Sequence, residues 1–180
     1  MIGVLVSGEG TNLQALLDAG LPVAAVASSR RDARALDRAH AAGLPAEVFA
    51  LDEYPDREAR DAAMAGWLEE RGAELVVCAG YMHLLRSSFL DRFPGRVVNV
   101  HPAPLPEFPG AHPLKDVLAA GASHAAATVH FVDEGVDTGE VIASEPVAVE
   151  PGDTVETLRE RVHAVEHRLL PEVVRELCAR

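Results

Sequence analysis

Residues 97–113 read VVNVHPAPLPEFPGAHP, an apolar run that passes directly into a segment with five prolines. The run indicates a buried strand, and the rigid proline segment ends that strand near His101. In open α/β sheets, ligands bind beyond the carboxyl ends of the strands. Asn99 and His101 lie at that end and on one face, because side chains alternate along a strand. The stretch therefore predicts both a strand and the place of a site.

Asn99 and His101 are suited to acyl transfer. An amide is a neutral hydrogen-bond donor and an imidazole carries a proton, so together they can polarise a carbonyl group and manage its proton. In the alternative interpretation, Asn99 satisfies the backbone of a turn and His101 packs in a loop. Both interpretations stay open at this point.

The chain begins with a second strand signal that leads into a glycine loop. Residues 2–6 are apolar, residues 7–12 read SGEGTN, and leucines then recur at helical spacing. Such a loop leaves N–H groups at a helix N-terminus free to hold an anion, and Thr11 and Asn12 add donors. The loop matches neither the dinucleotide fingerprint nor the P-loop. A tight turn with Thr11 or Asn12 as the N-cap is the alternative to a phosphate site.

The rest of the chain alternates between strand and helix signals. Apolar runs over 21–27, 46–49 and 74–80 indicate strands, and helical patterns separate them. Residues 125–132 and 140–149 indicate two strands with a short connection, which implies antiparallel pairing. We therefore predict a three-layer α/β fold with a mostly parallel sheet and an antiparallel edge, in one domain over residues 1–180.

Two further segments are candidates for binding. Residues 81–85 read YMHLL and follow a central strand, where they could wall a flat ring system or begin a helix that packs on the core. Arg57 lies in the first turn of a predicted helix, where its charge opposes the helix dipole. A binding role is one interpretation of Arg57, and an ordinary surface residue is the other.

The loop of the predicted hairpin, residues 133–139, reads DEGVDTG and holds three acids. A carboxylate brought near His101 would favour the imidazolium form and so provide a general acid near neutral pH. The spacing does not say which acid acts, and a solvated acidic turn is the alternative.

The last helical pattern starts at Asp153, which stands in a capping-box relation to Glu156. Pro171 is expected to kink or split the helix. His163 and His167 have an i,i+4 spacing that suits a metal ion. No metalloprotease pattern surrounds them, so we predict no metal site.

Composition excludes several classes of protein. The chain has 16 basic and 28 acidic residues and a formal net charge of −12, which repels nucleic acid and anionic membranes. No apolar run approaches the length of a membrane span, and the first strand begins without a signal-peptide pattern. Two distant cysteines imply no disulfide framework. We expect a cytoplasmic protein that binds neither nucleic acid nor membrane.

Four motifs occur together and in order along the chain. They are SGEGTNLQ at residues 7–14, AGYM at 79–82, NVHP at 99–102 with LP and PG behind it, and VDTG at 136–139. In combination they resemble the folate-dependent phosphoribosylglycinamide formyltransferases over nearly the whole chain. The NVHP motif with a later Asp is shared by other formyltransferases and by formyltetrahydrofolate hydrolases, whereas the glycine loop points to the narrower family.

The resemblance implies a Rossmann-like formyltransferase fold and a reaction without metal. A formyl group would pass from the co-substrate 10-formyltetrahydrofolate to the amine of 5-phosphoribosylglycinamide, the third step of purine synthesis. His101 matches the general acid of the family and Asn99 the donor that stabilises the oxyanion. Asp137 matches the carboxylate that holds the histidine protonated and helps to shuttle protons. We expect a monomer or a homodimer.

The resemblance also implies binding residues. The residues that match the ribonucleotide site are Gly10, Thr11, Asn12 and Glu166. The residues that match the folate site are Arg57, Met82, His83, Leu84, Leu85 and Asn99. His83 departs from the pattern, since the family usually carries Arg or Lys there. The chain also ends early, which is expected to affect packing more than catalysis.

Three rival functions remain. A formyltetrahydrofolate hydrolase would use water in place of the amine, but it carries an N-terminal regulatory domain, and here the first strand begins at residue 2. A tRNA formyltransferase would need an added C-terminal domain and a basic surface. A non-catalytic nucleotide- or folate-binding module would not need the combination of Asn99, His101 and Asp137.

Overall fold

The computed structural model describes residues 1–179. The strands are β1 (Ile2–Val6), β2 (Val23–Ser28), β3 (Ala46–Val48), β4 (Leu75–Cys78), β5 (Val97–His101), β6 (His124–Phe131) and β7 (Val141–Ala148). The helices are α1 (Thr11–Asp18), α2 (Ala35–Ala41), α3 (Arg57–Glu70), α4 (Ser87–Leu90), α5 (Pro113–Ala119) and α6 (Val155–Cys178), with a 3-10 turn at Leu51–Glu53. The strand order is β3-β2-β1-β4-β5-β6-β7.

The chain divides into two compact units, residues 1–98 and residues 99 onward. In the first unit, β1 pairs in parallel with β2 and β4, and β2 pairs in parallel with β3. Every residue of β1, β2 and β4 is buried, which explains their unbroken apolar runs. Asp56 caps α3, because its side chain accepts the Ala59 N–H at 2.8 Å.

In the second unit, β6 and β7 pair antiparallel, as the short connection predicted. A core cluster that includes Ala103, Leu114, Val117, Leu158 and Val162 packs inside this unit. Burial of these apolar side chains is the main favourable term that holds α5 and α6 in place.

The start of α6 corrects the predicted capping box. The N-cap is Thr154, and its partner is Thr157, so the box lies one residue beyond the predicted pair of Asp153 and Glu156. Asp153 is otherwise engaged, because its carboxylate accepts the Glu150 N–H and pairs with Arg161. The chain therefore enters the helix one residue later than the sequence pattern indicated.

Pro171 does not split α6, which runs continuously from Val155 to Cys178. Proline removes one backbone hydrogen bond from a helix interior. Leucines and valines on both sides of Pro171, namely Leu169, Leu170, Val173 and Val174, are buried. Burial of this apolar stripe holds the helix through the proline, so of the two expected outcomes, a kink or a split, the split is wrong.

The Rossmann-like α/β fold class, a mostly parallel sheet with an antiparallel edge, is confirmed. That the whole chain acts as one catalytic domain stays a prediction. Among residues 1–179, no helix has the length and apolar character needed to cross a membrane.

Candidate active site

The ends of two strands bring polar side chains together in the second unit. Asn99 and His101 belong to β5, and His130 is the penultimate residue of β6. His101 and His130 are buried, whereas Asn99 and Asp137 are half-buried. Buried imidazoles need hydrogen-bond partners, and a loop carboxylate and main-chain carbonyls supply them.

Asp137 is the acid of the 133–139 loop that faces the histidines. Its Oδ2 lies 3.5 Å from His101 Nδ1, and its Oδ1 lies 3.5 Å from His130 Nε2. Oδ2 also accepts the Gly110 N–H at 2.9 Å. Asp133 instead folds the loop, since its Oδ1 accepts the Thr138 hydroxyl at 2.6 Å. The structure thus distinguishes two acids that sequence spacing could not separate.

The main chain at Asp137 is in the left-handed region, with φ of 53°. Aspartate adopts this region more readily than most residues that have a Cβ. Burial raises the pKa of the Asp137 carboxyl, but its hydrogen bonds with His130 and the Gly110 N–H, together with the charges of the two histidines, outweigh burial and lower the pKa below 3.8. The group is therefore ionised at neutral pH.

His101 has a hydrogen-bond acceptor at each ring nitrogen. Its Nε2 lies 2.6 Å from the Phe108 carbonyl oxygen, to which it must donate, and its Nδ1 faces Asp137. A ring protonated on both nitrogens would donate to both acceptors. Each ring nitrogen therefore faces an oxygen acceptor, an arrangement that suits a group that gives and takes protons.

Sequence reasoning missed His130. Its Nδ1 lies 2.7 Å from the Phe131 carbonyl oxygen, and its Nε2 lies 3.2 Å from Asn99 Nδ2. His130 Nε2 thus lies near both the Asn99 amide nitrogen and Asp137 Oδ1, and links the three side chains. The available signal was a histidine that ends an apolar strand seven residues before Asp137. The structure brings Asn99, His101, His130 and Asp137 into one cluster.

In the first unit, the glycine loop presents an uncapped helix start. The N-cap of α1 is Gly10, with φ of 74° and no side-chain cap, so the alternative in which Thr11 or Asn12 is the N-cap is wrong. Thr11 is half-buried and Asn12 is buried within the first turn. N–H groups at such a helix start are suited to an anion.

Helix α2 supports this loop from behind. The Ala35 N–H donates to the Gly8 carbonyl at 3.0 Å, and Arg38 Nε donates to the Glu9 carbonyl at 2.8 Å. A Cβ at Gly10 would lie 2.6 Å from the Cβ of Ala35, so only glycine fits there. The loop is therefore held close against α2.

The segment 82–85 is irregular and is not the start of a helix. Met82 and Leu84 are exposed at 67% and 38%, whereas Leu85 is buried. Exposed apolar side chains beside a strand end are consistent with a ligand surface.

His83 and Arg57 are the polar members of the predicted folate site in this unit, and both are half-buried. Burial lowers the pKa of His83, and the charges of Arg60 and Arg57 lower it further. His83 is therefore mainly uncharged at neutral pH.

Glu166 lies on α6 and is buried, with His163 Nε2 4.0 Å from its Oε2. The rings of His163 and His167 lie 5.9 Å apart, yet no group of three or more His, Cys, Asp or Glu residues among residues 1–179 is placed to hold a metal ion. Burial raises the pKa of the Cys78 thiol to about 12, so this cysteine does not provide a thiolate nucleophile near neutral pH.

The chain is a Rossmann-like α/β protein. Its histidines and a carboxylate lie at strand ends, where proteins of this class place their acid–base chemistry. Residues 1–174 match the family described as formyl transferase, and the chain belongs to that family.

The chain is similar to named relatives. It is 45% identical to the phosphoribosylglycinamide formyltransferase of Mycobacterium tuberculosis (strain CDC 1551 / Oshkosh), over 95% of this chain and 81% of that protein. It is 40% identical to the trifunctional purine biosynthetic protein adenosine-3 of Drosophila pseudoobscura pseudoobscura, over 96% of this chain but 13% of the relative. The chain thus spans a small part of the length of these trifunctional relatives.

Solved structures agree with the fold. The glycinamide ribonucleotide transformylase 1 of Symbiobacterium toebii matches with a TM-score of 0.95 and 48% identity, over 97% of this chain and 85% of that one. The phosphoribosylglycinamide formyltransferase of Bacillus halodurans matches with a TM-score of 0.95 and 35% identity, over 99% and 95% of the two chains.

Proposed function

We propose that the chain transfers a formyl group from 10-formyltetrahydrofolate to the amine of 5-phosphoribosylglycinamide, in purine biosynthesis. The observation that carries the proposal is the contact of Asp137 with His101 at the end of β5, in a member of the formyl transferase family. The relatives named for this activity support the choice of substrates. We further propose that the protein works in the cytoplasm as a monomer or homodimer.

In the proposed reaction, the amine attacks the formyl carbon and the carbonyl oxygen gains negative charge. Asn99 Nδ2 donates a hydrogen bond to this oxyanion, and the positive charge of protonated His101 stabilises it. The tetrahedral intermediate then collapses, the bond from carbon to the folate nitrogen breaks, and that nitrogen takes a proton. His101 Nε2, which donates to the Phe108 carbonyl, is the source of that proton. The proton lost by the amine returns to the cluster through Asp137.

Asp137 performs two tasks in this scheme. Its negative charge, 3.5 Å from Nδ1, stabilises positive charge on His101. Its contact with His130 Nε2 holds the second ring, which in turn orients the Asn99 amide. Asn99 therefore presents its remaining N–H to the substrate in a fixed direction, which is the preorganisation that catalysis of this kind requires.

We propose that Gly10, Thr11 and Asn12 hold the ribonucleotide phosphate at the start of α1, and that Glu166 contacts the glycinamide part. The folate substrate is proposed to contact Arg57, Met82, His83, Leu84, Leu85 and Asn99. Because His83 is uncharged near neutral pH, any contact it makes is a hydrogen bond or ring contact and not an ion pair.

The test is a spectrophotometric assay of folate product with 10-formyltetrahydrofolate, run with and without the ribonucleotide. We expect turnover that requires both substrates. Equal turnover without the ribonucleotide would identify a hydrolase, with water as the acceptor. Binding of both ligands without turnover would indicate a non-catalytic binding module.

A further inference from the structure

The hydroxyl of Ser7 is a buried polar group that the proposed chemistry does not use. Ser7 is 2% exposed and lies where β1 passes into the glycine loop. Its Oγ accepts the main-chain N–H of Met82 at 3.0 Å and lies 2.7 Å from the Oγ of Ser29. Because one hydroxyl can accept and donate at once, Ser7 can hold both partners together.

The contact with Met82 fixes one end of the segment 82–85. Packing does not fix this end, since the Met82 side chain is 67% exposed and the segment has no helix or strand. The other end is fixed by a second buried side chain, because Asp61 Oδ2 accepts the Arg86 N–H at 2.8 Å. Both ends of the segment are therefore held by hydrogen bonds to buried side chains, and the buried Leu85 side chain adds packing near the second end.

Ser7 is also the first residue of the glycine loop, whose position α2 supports through the Gly8 carbonyl. A movement of the loop changes the position of the acceptor for the Met82 N–H, and a movement of Met82 changes the position of the loop. The two proposed binding segments of the first unit thus share one hydroxyl. When two ligands are coupled through such a shared element, each changes the binding affinity of the other by the same factor.

We propose that Ser7 is a positioning residue that couples binding of the ribonucleotide phosphate at the glycine loop to binding of folate at residues 82–85. The inference rests on the proposed function, which supplies the two ligands. Ser7 touches neither ligand in this scheme and acts through the Met82 N–H. Loss of the Ser7 hydroxyl raises both KM values and leaves the chemistry of the second unit intact.

The first test compares Ser7→Ala with the matched control Ser29→Ala. Ser7→Ala removes the acceptor of the Met82 N–H, whereas Ser29→Ala removes only the bond between the two hydroxyls. For Ser7→Ala we expect both KM values to rise about threefold to tenfold, in line with the loss of one hydrogen bond, and kcat to stay within about twofold. For Ser29→Ala we expect both KM values within about twofold of the wild type. Unchanged KM values in Ser7→Ala, or equal effects of the two variants, would overturn the proposal.

A second measurement keeps the proposal open to refutation even if Ser7→Ala does not fold. Amide hydrogen exchange at Met82 in the wild type should be slow, and the ribonucleotide alone should slow it further. Exchange at Met82 that the ribonucleotide does not change, in a protein that shows turnover, would overturn the coupling and leave the proposed function standing. Absence of turnover in the wild type would overturn the proposed function itself, so the two failures are distinguishable.

Discussion

Replacing Asp137 with asparagine tests the centre of the proposed mechanism. Asn has almost the same shape as Asp and tolerates the left-handed backbone, here at φ of 53°, so the loop should keep its path. One oxygen remains to accept the Gly110 N–H, which in the wild type donates to the carboxylate at 2.9 Å. The change therefore removes charge with little change of structure.

The expected loss follows from the distance between the charges. Asp137 Oδ2 lies 3.5 Å from His101 Nδ1. At this separation, with an effective dielectric constant of about 20, the attraction of a carboxylate for an imidazolium is about 5 kcal/mol. Solvent reaches the half-buried carboxylate and reduces this figure. We expect Asp137→Asn to lower kcat by roughly 10² to 10³-fold.

Steady-state kinetics with both substrates provide the measurement, and Asp133→Asn is the matched control in the same loop. Asp133 uses its Oδ1 to accept the Gly135 N–H and the Thr138 hydroxyl, and an asparagine oxygen can do the same. The control should stay within about threefold of the wild type. A kcat for Asp137→Asn within about threefold of the wild type would refute the assigned role.

The same pair of proteins gives a pH test of stability. The pKa of Asp137 in the folded protein is lower than its ordinary value of 3.8. Its ionised form therefore stabilises the folded state above 3.8, and this contribution is lost as the pH falls through the lower folded value. In thermal unfolding, the Tm difference between wild type and Asp137→Asn should be present at pH 7 and should shrink below about pH 4. A difference that grows with acidification would contradict the direction of the shift.

Three further substitutions, the first with a matched control, test the packing of the site. Gly10→Ala should destabilise the fold by at least about 2 kcal/mol in denaturant unfolding, because its Cβ would lie 2.6 Å from that of Ala35 and the backbone φ is positive. The control Gly8→Ala should cost under about 1 kcal/mol, because a Cβ there would have no atom within 4 Å. Tyr81→Phe should raise stability by about 1 kcal/mol in the same assay, because the buried Tyr81 hydroxyl has no hydrogen-bond partner among residues 1–179. Gly139→Ala should lower kcat as well as stability, since a Cβ there would lie 1.8 Å from a main-chain oxygen and would displace the acidic loop.

Regular elements were predictable from the sequence because their signals are local and periodic. The continuous apolar run 74–80 became β4, and the run around Asn99 became β5. The details at helix α6 were not predictable, because they depend on competition between contacts. Asp153 pairs with Arg161, eight residues away, so Thr154 caps the helix instead.

Some residues of the candidate site could be predicted from the sequence, and others could not. Asn99 and His101 could be placed together from strand alternation alone, since both precede the prolines on one face. His130 could not, because its proximity to Asn99 depends on the placement of β6 and not on any spacing in the sequence. A histidine at the end of an apolar run reads equally well as a packed core residue.

The identity of the acid depends on the backbone of one loop, and loops have no periodicity to reveal it. The Asp133 carboxylate accepts a hydrogen bond from Thr138 within the loop, and Asp137 points away from that turn. The left-handed conformation at Asp137 and the close approach of Gly139 to the Phe131 carbonyl then direct the carboxylate toward the two histidines. Each of these features belongs to the folded chain and has no local signal in the sequence. The sequence can therefore supply a set of candidate acids, and only the packing of the loop against its own strands selects one of them.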